Sequence, residues 1–351
     1  MYDLIDKLGD QGFLALAGLV TGLVYGLAAE QSKFCLRAAA VDVARLRAGP
    51  RFATWLLAFS TALLWTQTLN LTGVIDLGES RWLATPGTLA GAVIGGVLFG
   101  VGMVLARGCP GRLLVLGATG NLRAILSGLV FAVAAQMTLY GALAPLRATI
   151  SSAWTTTGPN PNLLQFIPVS GFGIVIALVF AAAALAVAYR NRVAISTLVF
   201  GCGVGFAVAL GWFLTSTASR ISFEPVSPSS ITFSGPSADM LMFLLSSNPV
   251  LDFNIGLITG VFIAAFMSAA ASKRLGWQGW DGVQSMQRYL SGAALMGFGA
   301  MTAGGCTIGA GVTGGSTFAL TAWVALFSMW MGGMITDRLV DQPGEAILER
   351  V

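Results

Sequence analysis

The sequence predicts an all-α polytopic membrane protein of about nine transmembrane helices, with short re-entrant or broken helices and an inverted internal repeat, on three observations. Hydrophobic residues make up 56% of the 351 and charged ones only 10%, too little charge for a soluble chain of this length. Apolar runs of about twenty residues recur from end to end. Glycine-rich interruptions around a single cysteine occur twice in nearly the same form, at 100–109 and 297–306.

At 1.5 Å per residue against roughly 30 Å of hydrocarbon, spans are expected near 12–29, 52–72, 88–106, 123–143, 171–189, 195–215, 254–271, 287–303 and 317–336. The first follows Asp3, Asp6 and Asp10 with one Lys7, the wrong sign for the leading segment of a signal peptide, so it reads as a retained helix. Gly18, Gly22 and Gly26 in this span, and Gly96 and Gly100 in the third, recur every four residues, which lets helix backbones approach closely. The connections at 144–170 and 216–253 are rich in Pro, Ser, Thr and Asn, and Pro159, Pro161, Pro225, Pro228 and Pro236 argue against long helices there. They are expected either to cap an outer mouth or to be ordinary solvated connections. Trp55, Trp65, Trp82, Trp212, Trp277 and Trp280 lie near span ends and read as interfacial belts.

Basic residues orient the bundle, because Lys and Arg accumulate in short cytoplasmic loops. With the N-terminus outside and the C-terminus inside, all but Lys7, Arg81, Arg147 and Arg220 of the 19 basic residues fall on the cytoplasmic side, Arg338 and Arg350 closing the tail. The whole chain, 1–351, reads as one transmembrane domain with approximate inverted halves 12–143 and 171–336.

Composition excludes several chemistries. With no histidine there is no imidazole base or His metal ligand. The four cysteines, Cys35, Cys109, Cys202 and Cys306, never form C-x-x-C, so no zinc, iron–sulfur or thioredoxin-type site is indicated and no cofactor is expected. No Walker motif is present. The net charge of +4 sits in loops between spans and carries no argument for nucleic acid.

The chemistry concentrates at the interruptions. Gly100 through Cys109 matches Gly297 through Cys306, with glycine nine, seven and one residues before each thiol and a glycine-rich return after it. Gly26 through Cys35 is a looser echo followed by charged residues, whereas Cys202, in Gly201-Cys202-Gly203, reads as packing. A break inside the bilayer frees backbone groups that hydrocarbon cannot satisfy, so such backbone lines protein or a polar path. If each segment returns to its own face, Cys35 and Cys109 approach from the cytoplasm and Cys306 from outside. Arg107, Arg112 and Arg123 surround Cys109, while 303–336 has no charge, so the inner exit reads as basic and the outer mouth as neutral; the same arginines also satisfy the positive-inside rule.

Lys33-Phe34-Cys35, Ala106-Arg107-Gly108-Cys109-Pro110 and Gly304-Gly305-Cys306-Thr307-Ile308-Gly309 resemble the three cysteine blocks of the YeeE/YedE family of sulfur-compound transporters, and the similarity covers most of the chain. The resemblance implies uptake of thiosulfate across the bacterial inner membrane along Cys35, Cys109 and Cys306. Some members are associated with a small sulfur-carrier domain; here any such cytoplasmic partner would be a separate protein.

Thiosulfate is a dianion with a soft terminal sulfur, and it needs replacements for its water at every step. Protonated thiols are weak donors that hold it less firmly than Arg would, which suits release. Lys33, Arg107, Arg112, Thr307 and Thr313, with the helix starts near Asn121 and Ser316, are expected to support the path. Carrying two negative charges inward against −100 mV costs about 4.6 kcal/mol, so import needs coupling or rapid consumption. A thiol-lined path does not name its ion: another sulfur or selenium species, or a membrane thiol redox or persulfide relay, remains open.

Overall fold

The computed structural model describes residues 2–166, 171–222, 226–279 and 282–341; Pro225, Trp280 and Arg350 lie outside them. The chain order is α1 (Tyr2–Ser32), α2 (Leu36–Ala44), α3 (Pro50–Leu71), α4 (Arg81–Ala84), α5 (Leu89–Leu105), α6 (Pro110–Ala118), α7 (Leu122–Tyr140), α8 (Ala144–Ser152), α9 (Phe172–Arg190), α10 (Ile195–Ile221), α11 (Ser234–Leu245), α12 (Phe253–Ala271), α13 (Val283–Thr302), a π-helix over Thr307–Gly314, and α14 (Leu320–Val340). The protein is an all-α polytopic membrane protein, and among the described residues no β-strand forms beyond isolated bridges.

Among the described residues seven stretches are long and apolar enough to cross a membrane, and three of them, Gly9–Ala44, Leu89–Ala118 and Val283–Gly314, contain a thiol and its helix break. α3 and α14, the expected second and ninth spans, have the length at 22 and 21 residues. They are less apolar because they are central: Ser60, Thr66 and Gln67 of α3 and Ser328, Thr336 and Asp337 of α14 turn inward and are buried.

The four-residue glycine spacing is a set of helix crossings. On α1, Cβ atoms at Gly18, Gly22 and Gly26 would lie within 2.6 Å of backbone oxygens of Phe253, Leu257 and Val261, so α1 and α12 run parallel in direct backbone contact. Gly96 and Gly100 meet α14 in the same sense. The glycines that precede the two matching thiols meet each other: Gly95 faces Gly299, and Gly102 faces Gly292. Rising numbers on α5 oppose falling numbers on α13, so these helices cross antiparallel.

One connection and the tryptophan belts differ from expectation. In 216–253, α10 runs on to Ile221 and α11 fills Ser234–Leu245, while Ile231 and Phe233 are fully buried, so the segment 230–233 before α11 threads into the protein interior. Its anchors are hydroxyls reaching free carbonyls: Ser230 donates to Val208 O at 2.6 Å and Thr313 to Ile231 O at 2.6 Å. Of the tryptophans assigned to belts, Trp55, Trp82 and Trp212 are buried in the core, Trp55 stacking on Phe59 at 5.2 Å, whereas Trp65 and Trp277 are exposed. Hydropathy alone does not fix which way an indole near a helix end turns.

On the face where α2 ends and α13 begins, arginines and carboxylates tie helix ends together. Arg45 pairs with Asp337 at 3.2 Å, and Asp341 accepts from Arg37 at 3.2 Å and Arg288 at 2.7 Å. Burial works against the Asp341 carboxylate, but the hydrogen bond and charge of Arg288, with Arg37 and Arg107 behind it, prevail and hold its pKa below the usual carboxylate range. Glu30, at the end of the first span, is likewise buried and engaged, by Ser268 at 2.6 Å and Arg274 at 3.2 Å.

Candidate functional site

Three cysteines occupy the same local position. Two residues before each thiol the backbone turns left-handed, at Lys33 (φ 52°), Arg107 (φ 55°) and Gly304 (φ 81°). The turn stops the preceding helix and aims the chain elsewhere. At the first two, an N–H reaches back five residues in the manner of a Schellman cap, Phe34 to Ala29 at 3.2 Å and Gly108 to Met103 at 3.1 Å. Cys35, Cys109 and Cys306 then sit in extended backbone as the N-caps of α2, α6 and the π-helix. Each cysteine carbonyl accepts the first helical bond, from Ala39 at 3.2 Å, Leu113 at 2.9 Å and Ala310 at 2.8 Å. Each thiol therefore stands at the positive end of a short helix, where unpaired N–H groups favour an anion.

The arrangement brings these thiols together. Cys109 and Cys306 are buried, Cys35 is half-buried, Cys35 and Cys306 each lie within electrostatic reach of Cys109, and all three lie within reach of Tyr25. Cys306 Sγ accepts from the N–H of Gly309 and of Phe233, each at 3.4 Å, which leaves its own proton to donate. The Thr307 hydroxyl is buried beside the Cys109 thiol. All four cysteines are free, and among the described residues no group of three or more metal-binding side chains assembles. Cys202 stands apart in the unbroken α10.

Of the expected supporting residues, Thr307 and Thr313 belong to the π-helix that follows Cys306, and Arg112 lies in the first turn of α6, close enough to Tyr25 to interact with it. Arg107 lies over the Tyr289 ring at 5.9 Å, and Lys33 is exposed at its turn. Asn121 is engaged elsewhere, its side chain capping α7 through Ala124 N–H at 2.9 Å and donating to Gln278. Ser316 donates to Thr313 O at 2.7 Å, and its carbonyl accepts from Gln67 at 2.6 Å. The helix starts near the thiols are those immediately after each cysteine, not those of the next long helix.

A cavity of about 350 Å³ opens onto the Cys306 break, where Gly304, Gly309 and Thr313 form part of its wall. Arg81 and Arg147 line it too, so this mouth is basic rather than neutral. Arg81 is held by donating to Gly304 O at 3.0 Å and by lying over the Trp82 ring at 4.9 Å. The buried Nε atoms of Arg147 and the Nε1 of Trp212, another wall residue, have no hydrogen-bond partner. Asp239 is the opposing charge, and Asn254 donates to it at 2.8 Å. Arg81 and Arg147 are single basic residues in connecting segments, which the sequence does not distinguish from solvated ones.

Broken helices whose ends meet around a buried polar centre, in a bundle with seven apolar spans, define a multi-pass membrane protein of the transporter type. The chain belongs to the Sulphur transport family, whose model matches residues 31–335. It is similar to the thiosulfate transporter TsuA of Escherichia coli strain K12, 26% identical over 356 aligned positions covering 93% of this chain and 95% of that protein. It is also similar to the thiosulfate transporter TsuA of Spirochaeta thermophila, 25% identical over 336 positions covering 90% and 96%.

Proposed function

We propose that this protein takes up thiosulfate across a bacterial inner membrane, receiving the anion in the basic cavity and passing it along Cys306, Cys109 and Cys35 to the cytoplasm. The observation that carries this reading is the placement of three thiols as N-caps of three short helices that converge. A helix N-terminus stabilises the dianion, and a neutral S–H contacts the soft sulfur without trapping it. The two relatives are both named as thiosulfate transporters. The antiparallel crossing of α5 and α13 supports inverted halves, in which Cys109 and Cys306 are reached from opposite sides. The charge distribution supports an outside N-terminus and a cytoplasmic C-terminus. A cytoplasmic sulfur-carrier protein that receives the product would be a separate chain. Four free cysteines favour non-covalent passage over a disulfide relay.

The test is uptake of radiolabelled thiosulfate by proteoliposomes containing the purified protein. Saturable uptake is expected, inhibited by excess unlabelled thiosulfate and only weakly by sulfate, which lacks the soft sulfur. Uptake no greater than in protein-free vesicles, under an imposed inward thiosulfate gradient, contradicts the reading.

A further inference from the structure

We infer that Tyr25 and Phe233 form the selectivity constriction between the Cys306 cavity and Cys109, with the Tyr25 hydroxyl carrying the anion's oxygens past the closed point. The inference rests on the transport reading above. Helix, break and short helix occur three times, at α1–α2, α5–α6 and α13 with its π-helix, and each short helix is capped by cysteine. α11 follows a longer connection and is capped by Phe233.

Phe233 bridges two of the thiols. The Phe233 N–H donates to Cys306 Sγ at 3.4 Å. Its ring lies 2.9 Å from where a Cβ on Gly111 would stand, two residues beyond Cys109, and the Tyr25 hydroxyl lies 3.2 Å from the same point. Gly111 thus leaves room for both aromatic side chains against the first turn of α6. The rings of Tyr25 and Phe233 lie 5.0 Å apart at 49°, and only 1% of Tyr25 and none of Phe233 is exposed, so the path is shut here. Thr313 of the π-helix fixes the Phe233 segment through Ile231 O, which couples the constriction to the Cys306 element.

The chemistry suits a two-ended anion. Aromatic faces strip water, which costs a sulfate oxygen more than a soft sulfur, so thiosulfate enters sulfur first. The phenol then donates to the trailing oxygens as the sulfur reaches Cys109. A neutral O–H, unlike an arginine at this point, releases them.

Proteoliposome uptake and thermal unfolding of Tyr25→Phe, Phe233→Leu and Cys109→Ala test this. Tyr25→Phe keeps the ring and is expected to lower thiosulfate uptake about tenfold, the scale of one hydrogen bond to a charged group, with little change in unfolding midpoint. Phe233→Leu is expected to raise sulfate uptake relative to thiosulfate at least about fivefold by widening the apolar gap. Wild-type rate in the first variant together with wild-type selectivity in the second overturns the inference. So does a fall of more than about 10 °C in the midpoint of Tyr25→Phe, which makes the pair a packing element. If Cys109→Ala is inactive while both aromatic variants behave as wild type, only the constriction fails; if Cys109→Ala is also fully active, the thiol path itself fails.

Discussion

Thiosulfate uptake by the Cys109→Ala variant is expected to fall about thirtyfold to a hundredfold with the fold retained. Cys109 is 2% exposed and caps α6, whose first residue, Pro110, has no N–H to offer in its place. Removing one donor to a desolvated charge costs about 1.5–3 kcal/mol, roughly thirteenfold to a hundred-and-sixtyfold, which brackets this range. Truncation to alanine removes one buried atom, so the stability loss is about 1 kcal/mol and separable from the transport loss. Cys109→Ser keeps a donor but not a soft contact and is expected to lie between, near tenfold. Initial uptake rates normalised to protein in the vesicles, beside an unfolding curve, check all of this. Uptake at the wild-type rate in the alanine variant refutes the role of this thiol.

The second large effect is expected at the basic mouth. Replacing Arg81 and Arg147 together by glutamine is expected to raise KM about thirtyfold while the maximal rate stays within about twofold, because fixed charges in a cleft act on capture before the anion reaches the thiols. Arg81 is pinned to Gly304 O at 3.0 Å, two residues before Cys306, so its charge is already in place when the anion arrives. The remaining charge in the wall, Asp239, is repulsive, and once the arginines are gone nothing in the wall offsets it. Salt discriminates this from a shape effect. Wild-type uptake at low thiosulfate should fall as ionic strength rises, and the double variant should lose most of that dependence. An unchanged KM with a collapsed maximal rate instead places the arginines in passage rather than capture.

The fold class was legible because it rests on local quantities: apolar run length, glycine spacing and the sign of loop charges. Gly102 and Gly299, which hold matching positions before two thiols, both lie on the crossing of α5 and α13 in the structure. What was not legible depends on long-range packing. Ile231 and Phe233 sit in a short run rich in serine and proline that reads as a surface connection, and only the hydroxyls of Ser230 and Thr313 reveal that it is threaded inside. Tyr25 looks like one more aromatic residue of an apolar helix until Phe233 and Gly111 are placed against it. Arg81 and Arg147 carry no motif, and their role appears only when α4, α8 and the Cys306 break meet around one cavity. The side chains of Asn121 and Ser316, at helix starts, engage Gln278 and Thr313, partners that sequence alone does not show.

The most direct measurement is the position of a selenium analogue of thiosulfate, with selenium as the terminal atom, located by its anomalous scattering in crystals of the wild-type protein. A peak within about 4 Å of Cys306 Sγ, on the side of the Arg81 and Arg147 cavity, is the predicted result. A peak away from Cys306, Cys109 and Cys35 in protein that transports the same analogue contradicts the account.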